Sequence, residues 1–209
     1  MKRQLTALVL LFFTISNHAQ INAVTENGDE VILFQDNTWK YSNDSLNKEI
    51  DITQNDKLFI KEKKSSFLVK SKKTNIGVWI NPKIWSFSKQ DSESASEYNF
   101  KNKKLDIYGM LITEKFEMPI ESLINIAYDN AKNAAPDIKI VEKEYRNINN
   151  HNMIMMKMKG TIQGIKFIYY SYYYSNSEGS YQFITYTSQN AFEQYEDEMT
   201  NILNGLTEY

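Results

Sequence analysis

The sequence predicts an α+β protein: an antiparallel sheet covered by two amphipathic helices and preceded by a small N-terminal β meander. Three observations carry that reading. Residues 120–131 and 192–206 each repeat apolar side chains at a spacing of 3–4, the mark of a helix with one buried face. Between them run four stretches rich in Ile, Met, Phe and Tyr, separated by Asn-, Gly- and Ser-rich turns. Near the start, Asn27-Gly28-Asp29 joins two short apolar runs, the strongest local hairpin signal because both central residues tolerate positive φ.

The chain opens with Lys2 and Arg3, followed by an apolar run from Leu5 to Ile15 that only Thr6 and Thr14 interrupt. That length suits a signal-peptide core and falls short of the ~20 residues that span a bilayer. Residues 1–19 are therefore expected to be a signal peptide, cut after Ala19, with Thr14-Ile15-Ser16 as the rival cleavage site. With no cysteine after the apolar core, lipoprotein processing is not expected. Residues 20–41 are expected to form the meander: a strand at Ile21–Thr25, its partner at Val31–Phe34, and a second turn at Gln35-Asp36-Asn37. The segment Gly28 to Phe34, with Thr38-Trp39-Lys40-Tyr41 behind it, resembles a short module that follows the signal peptide in many exported bacterial proteins. Asn37 stands where that module carries a turn glycine, and Asn also visits the left-handed region. Trp39 is expected to pack this little sheet.

Residues 42–56 are polar and without a sustained period, which reads as a linker. Asp44-Ser45-Leu46 within it resembles a loose acceptor pattern for O-glycosylation. The main domain is then expected over residues 57–209. Leu58-Phe59-Ile60 and Phe67-Leu68-Val69 read as two strands pairing around Lys63-Lys64-Ser65. Next come Ile76–Trp85, a serine-rich loop at 92–96, and a strand at 105–116. Pro119 suits a first helical turn and Glu121 the positive helix N-terminus. Ile120, Leu123, Ile124, Ala127, Tyr128 and Ala131 form the buried stripe, and Pro136 ends the helix. Four strands follow, at 138–145, 153–159, 164–174 and 181–187. The third is aromatic on both faces and is expected to be central. The last helix carries Phe192, Tyr195, Met199, Ile202, Leu203 and Leu206 on one stripe.

An early strand running into Pro82-Lys83-Ile84-Trp85, the helix after Pro119, the run of antiparallel strands and the terminal helix together resemble the PsbP-like α/β/α sandwich family. Its best-known members are extrinsic subunits of photosystem II. The resemblance covers about residues 74–207 and implies a non-enzymatic binding or assembly role. It carries no metal or partner site onto this chain residue by residue.

Composition narrows the chemistry. Without residues 1–19 the chain has 22 Lys+Arg against 26 Asp+Glu, a net charge of about −4. Mild acidity argues against nucleic acid as partner, since that is bound chiefly through basic surface. No stretch after the signal core is long enough to span a membrane. The chain has no cysteine, and His151 is the one histidine outside residues 1–19. Thiolate nucleophiles and multi-histidine zinc sites are thereby removed. No catalytic residue, metal site or cofactor is expected.

Of the remaining candidates, Met153–Met158 fit core packing better than soft-metal binding. His151 reads as a loop histidine, and Glu193, Glu196, Asp197 and Glu198 as the outer face of the last helix. The candidate ligand-binding residues are Tyr170, Tyr172 and Tyr174. Period-two alternation puts them on one face of their strand and Tyr169 and Tyr173 on the other. The expected function is an exported periplasmic or secreted binding or assembly module whose partner is an envelope protein or a glycan. The alternative is a small hydrolase using paired carboxylates.

Overall fold

The computed structural model describes residues 21–25, 28–42 and 50–209. The signal peptide expected over residues 1–19 and the Asp44-Ser45-Leu46 pattern lie outside the described residues. The chain divides into two compact units, Met1–Glu49 and Ile50–Tyr209.

In the first unit β1 (Ile21–Val24), β2 (Glu30–Leu33) and β3 (Trp39–Tyr41) form an antiparallel sheet in that order. Its turns use the left-handed region as the sequence demands, with φ of 85° at Gly28 and 65° at Asn37. Val31 is buried, whereas Trp39 remains 54% exposed and, among the described residues, meets the edge of the Tyr41 ring at 5.1 Å. So small a sheet has too little surface to cover an indole.

The second unit is built on an eight-stranded sheet. Its strands are β4 (Thr53–Phe59), β7 (Trp85–Lys89), β8 (Tyr98–Asn102), β9 (Tyr108–Glu114), β10 (Lys139–Ile148), β11 (His151–Ile162), β12 (Ile165–Asn176) and β13 (Gly179–Ser188). They lie in the order β4-β10-β11-β12-β13-β9-β8-β7, so the tyrosine-rich β12 is central. The β10–β13 hairpins follow from their turns: Asn149 and Asn150 both take positive φ, as do Gln163 and Gly164. A smaller sheet has the order β14-β6-β5, from β5 (Phe67–Lys70), β6 (Ile76–Ile80) and β14 (Leu206–Glu208).

Each face of the large sheet has its own core. Helix α1 (Ile120–Ala134) buries Leu123, Ile124, Ala127 and Ala131 against Ile154, Met156, Met158 and Tyr173. On the other face, α2 (Phe192–Leu203) and the small sheet bury Phe192, Met199, Ile202, Val78 and Leu206 against Met153, Met155, Tyr170 and Tyr172. The methionines are thus core on both faces. Each fully buried side chain of this size contributes roughly 1.5–3 kcal/mol.

Three further departures from expectation concern residues 53–56, 67–70 and 206. Thr53–Asp56 is strand rather than linker. It runs parallel to β10, with Asn55 Nδ2 donating to Glu144 Oε1 at 3.1 Å. β5 pairs with β6, Phe67 lying opposite Ile80 and Val69 opposite Val78, and not with the segment before it, whose Leu58 and Phe59 pair with β10. Leu206 lies in a strand, not the helix. Gly205 brings the backbones close enough for Trp79 N–H to donate to Gly205 C=O at 2.8 Å, and a Cβ there would lie 2.1 Å from Trp79 O.

Candidate functional site

The tyrosine row alternates as expected, but its first two members face inward. Tyr170 and Tyr172 are 1% and 0% exposed. The cover expected to leave them open is complete, because α2 and the small sheet close over this face. Their hydroxyls accept from Arg146 Nη1 at 2.6 and 3.1 Å. Tyr172 Oη donates to Asn204 Oδ1 at 2.9 Å, and Thr200 Oγ1 donates to Tyr170 Oη at 3.2 Å. Arg146 pairs through Nε with Glu144 and lies over the Phe59 ring at 4.6 Å. Burial pushes the Tyr172 hydroxyl well above its ordinary range. This is a buried polar network that fixes the strand.

Tyr174 is half-buried. Its hydroxyl donates to Glu208 Oε1 at 2.6 Å, and Asn176 Nδ2 reaches the same oxygen at 2.6 Å. The His151 ring lies 5.5 Å from the Tyr174 ring, so the structure brings the histidine and one predicted site residue together. The Tyr174 hydroxyl bond, more than anything else, holds the Glu208 carboxyl below its ordinary value, against burial. The bond from β12 ties down β14.

The acidic residues of α2 divide. Glu196 pairs with Lys157 Nζ at 2.7 Å, while Glu198 Oε1 accepts from Trp85 Nε1 at 2.7 Å. Glu198 shares a narrow recess with Glu62. Burial raises its carboxyl, the Trp85 bond opposes this, and the Glu62 charge adds to the rise.

A cleft of about 370 Å³ lies between the β5–β6 turn and the β7–β8 loop. That is within the ~300–1,000 Å³ typical of ligand sites. Lys72, Lys73, Lys89, Gln90 and Asp91 line it, with Glu97 at its base. Glu97 is 4% exposed and fully engaged. Its Oε2 accepts from Ser71 Oγ at 2.7 Å and Thr113 Oγ1 at 2.6 Å, and its Oε1 from Lys72 N at 2.6 Å. Ser71 Oγ in turn accepts from Lys73 N at 3.0 Å. One buried carboxylate therefore pins the turn that carries two of the three lysines.

Asp91 is likewise occupied, capping the N–H groups of Glu93 and Ser94. Lys73 Nζ reaches Thr113 O at 3.4 Å. Among the described residues, the ammonium groups of Lys72 and Lys89 have no ion-pair partner. Both acids are committed to the backbone and to hydroxyls, so the ammonium groups are the unspent charge at the mouth. Beside them, Phe67 and Phe87 stack at 5.7 Å while 45% and 41% exposed. Phe87 and Lys89 project from the same side of β7, which joins an aromatic patch to a basic cleft.

Sequence reasoning singled out none of these residues. Lys72, Lys73 and Lys89 carry no motif in the sequence, and only the fold brings two loops together over Glu97. Replacing Glu97 with alanine leaves the buried Thr113 and Ser71 hydroxyls without their acceptor. A loss of about 2–3 kcal/mol is expected in urea unfolding.

No protein-family model and no curated protein matches this sequence. Solved structures do. The chain is similar to the cyanobacterial PsbP (CyanoP) from Synechocystis sp. PCC 6803, with a TM-score of 0.53 and 11% identity over 68% of this chain and 92% of that one. It is also similar to LpqN, involved in cell envelope biogenesis of Mycobacterium tuberculosis (TM-score 0.47, 10% identity, 68% of this chain and 88% of that one). A protein of unknown function from Pseudomonas aeruginosa, PA94, matches at TM-score 0.44 and 10% identity, over 68% of this chain and 96% of that one. Identity this low makes the likeness one of architecture, and by the CyanoP match the chain has the PsbP-like fold.

Proposed function

We propose that this protein is an exported, non-enzymatic binding or assembly module that grips an anionic group of an envelope partner between Lys72, Lys73 and Lys89. The carrying observation is the cleft itself. Three lysines converge on a chain of net charge −2, two of them with no ion-pair partner among the described residues, over a turn held rigid by Glu97. A preorganised turn lowers the ordering cost of binding, and ammonium groups favour carboxylates or phosphates without demanding one geometry. Titrating labelled protein with citrate and following its amide shifts tests this reading. Shifts are expected at Lys72, Lys73, Lys89 and Ser92, and are expected to vanish in the K72A/K73A/K89A variant. Shifts spread evenly over the surface, or kept by the variant, contradict it.

Export is part of the proposal and rests on the sequence of residues 1–19. N-terminal sequencing of protein from the envelope or medium is expected to begin at or near Gln20. An intact Met1 in that material contradicts it.

The hydrolase reading draws on Glu62 and Glu198, whose carboxyl stays protonated to higher pH than usual. Against it, Trp85 occupies the Glu198 carboxylate and the recess has no room for a substrate. Glu198→Gln is accordingly expected to leave anion binding unchanged.

A further inference from the structure

We infer, building on the anionic-partner reading of the cleft, that the partner supplies an extended acidic segment, which adds to the free edge of β7 as a further strand of the large sheet. Among the described residues β7 is the last strand of that sheet, its outer edge unpaired, and Ser86, Phe87, Ser88 and Lys89 are all exposed. Its pairing with β8 fixes which backbone groups are free. Gln90 N–H donates to Glu97 C=O at 2.9 Å. In an antiparallel ladder, residues facing the partner strand alternate with residues facing away. Ser88 opposite Asn99 and Ser86 opposite Lys101 therefore face β8, while Phe87 and Lys89 direct their N–H and C=O groups outward.

An open edge is a template for strand addition, in which backbone bonds give affinity and alternate side chains give specificity. Here the side chains beside the edge set the partner's pattern. Phe87, stacked on Phe67, lies beside one position of an added strand, Lys89 beside a position two residues away, and the cleft of Lys72 and Lys73 beyond that. A segment antiparallel to β7 meets the cleft first and the aromatic pair last. It therefore reads acid-x-acid-x-apolar from its N-terminus. Lysines on an edge repel other lysine-bearing strands, which disfavours a second copy of this chain at the same place and favours an acidic one.

The probe is the blocked peptide acetyl-Thr-Asp-Thr-Asp-Thr-Val-Thr-amide, titrated into labelled full-length protein. At saturation the Phe87 and Lys89 amides are expected to exchange at least about ten-fold more slowly, the sign of new backbone bonds. A peptide N-methylated at its second Asp and its Val keeps its charges and side chains but loses those bonds. It is expected to bind at least about ten-fold more weakly. K72A/K73A/K89A is expected to weaken the unmodified peptide by a similar factor.

If the N-methylated peptide binds equally and the Phe87 and Lys89 amides are unprotected, the strand-addition inference is overturned. The cleft reading then stands on its own citrate shifts. If the peptide does not bind while citrate shifts the cleft amides, the inference is likewise overturned. A concentration-dependent dimer that protects the same two amides, seen by sedimentation without peptide, also overturns it, because a second copy then fills the edge.

Discussion

Arg146→Ala is expected to lower the unfolding free energy of the large domain by about 3–5 kcal/mol, the cost of leaving a buried charge without its partner. Arg146 and Glu144 are 7% and 8% exposed, and Asn55 is the other donor to the Glu144 carboxylate. Removing the guanidinium also takes a donor from the Tyr170 and Tyr172 hydroxyls and a cation from the Phe59 ring. Burial works against the arginine's charge, and the two tyrosine oxygens outweigh it, so it stays protonated at any workable pH. The loss is therefore expected to vary little between neutral and mildly alkaline conditions. Urea denaturation of the full chain measures it. Pairing Arg146→Met with Glu144→Leu is expected to recover much of the stability, because a buried ion pair is often replaceable as a unit. A loss below about 1 kcal/mol for Arg146→Ala contradicts the network as described.

Along β12, Tyr170→Ala, Tyr172→Ala and Tyr173→Ala are each expected to cost about 3–5 kcal/mol, as deletion of a large buried aromatic does. Tyr172 and Tyr173 are 0% exposed, on opposite faces, so one empties the core under α2 and the other the core under α1. Tyr174→Ala is expected to cost less, about 1–2 kcal/mol, because its ring is half-buried and its main bond is to Glu208 at the sheet's end. Phenylalanine separates the hydroxyls from the rings. The Tyr173 hydroxyl makes no well-formed hydrogen bond in its buried site, whereas that of Tyr172 joins Arg146 to Asn204. Tyr173→Phe is expected to be neutral or slightly stabilising, and Tyr172→Phe to cost about 1–3 kcal/mol. Thermal or urea melts of the six variants give the comparison, and none of them is expected to alter citrate binding at the lysine cleft. A variant that melts like the wild type yet loses citrate binding would restore the row as a ligand face.

Local rules made much of this fold legible. The 3–4 spacing from Ile120 to Ala131 gave α1 its buried stripe, and the paired asparagines at 149–150 placed the β10–β11 hairpin. Period two assigned Tyr170 and Tyr172 to one face and Tyr173 to the other. What local rules left open was what lies over each face. The cover on Tyr170 and Tyr172 comes from α2, β6 and β14, which dock from distant parts of the chain. The first half of β4, Thr53–Asp56, escaped for a similar reason: a parallel partner some ninety residues away sets its register, with Asn55 bonding Glu144. β7 and β8 carry serine, asparagine and lysine at alternate positions, and only their buried partners Trp85, Tyr98 and Phe100 show them to be strands. The cleft was hidden most completely. Lys72, Lys73 and Lys89 look like solvated charges until Glu97 pins the turn of one sheet to the edge of the other.

Whether that cleft is a binding site can be measured most directly by calorimetric titration of the acidic peptide at two salt concentrations. Wild-type protein and the K72A/K73A/K89A variant are compared, with circular dichroism showing that both are folded. Surface lysines make little stability contribution, so the variant is expected to melt within about 0.5 kcal/mol of the wild type. Wild-type affinity is expected to fall as salt rises, and the variant to bind at least about ten-fold more weakly at low salt. Equal affinity in the two proteins, or affinity indifferent to salt, would contradict the account.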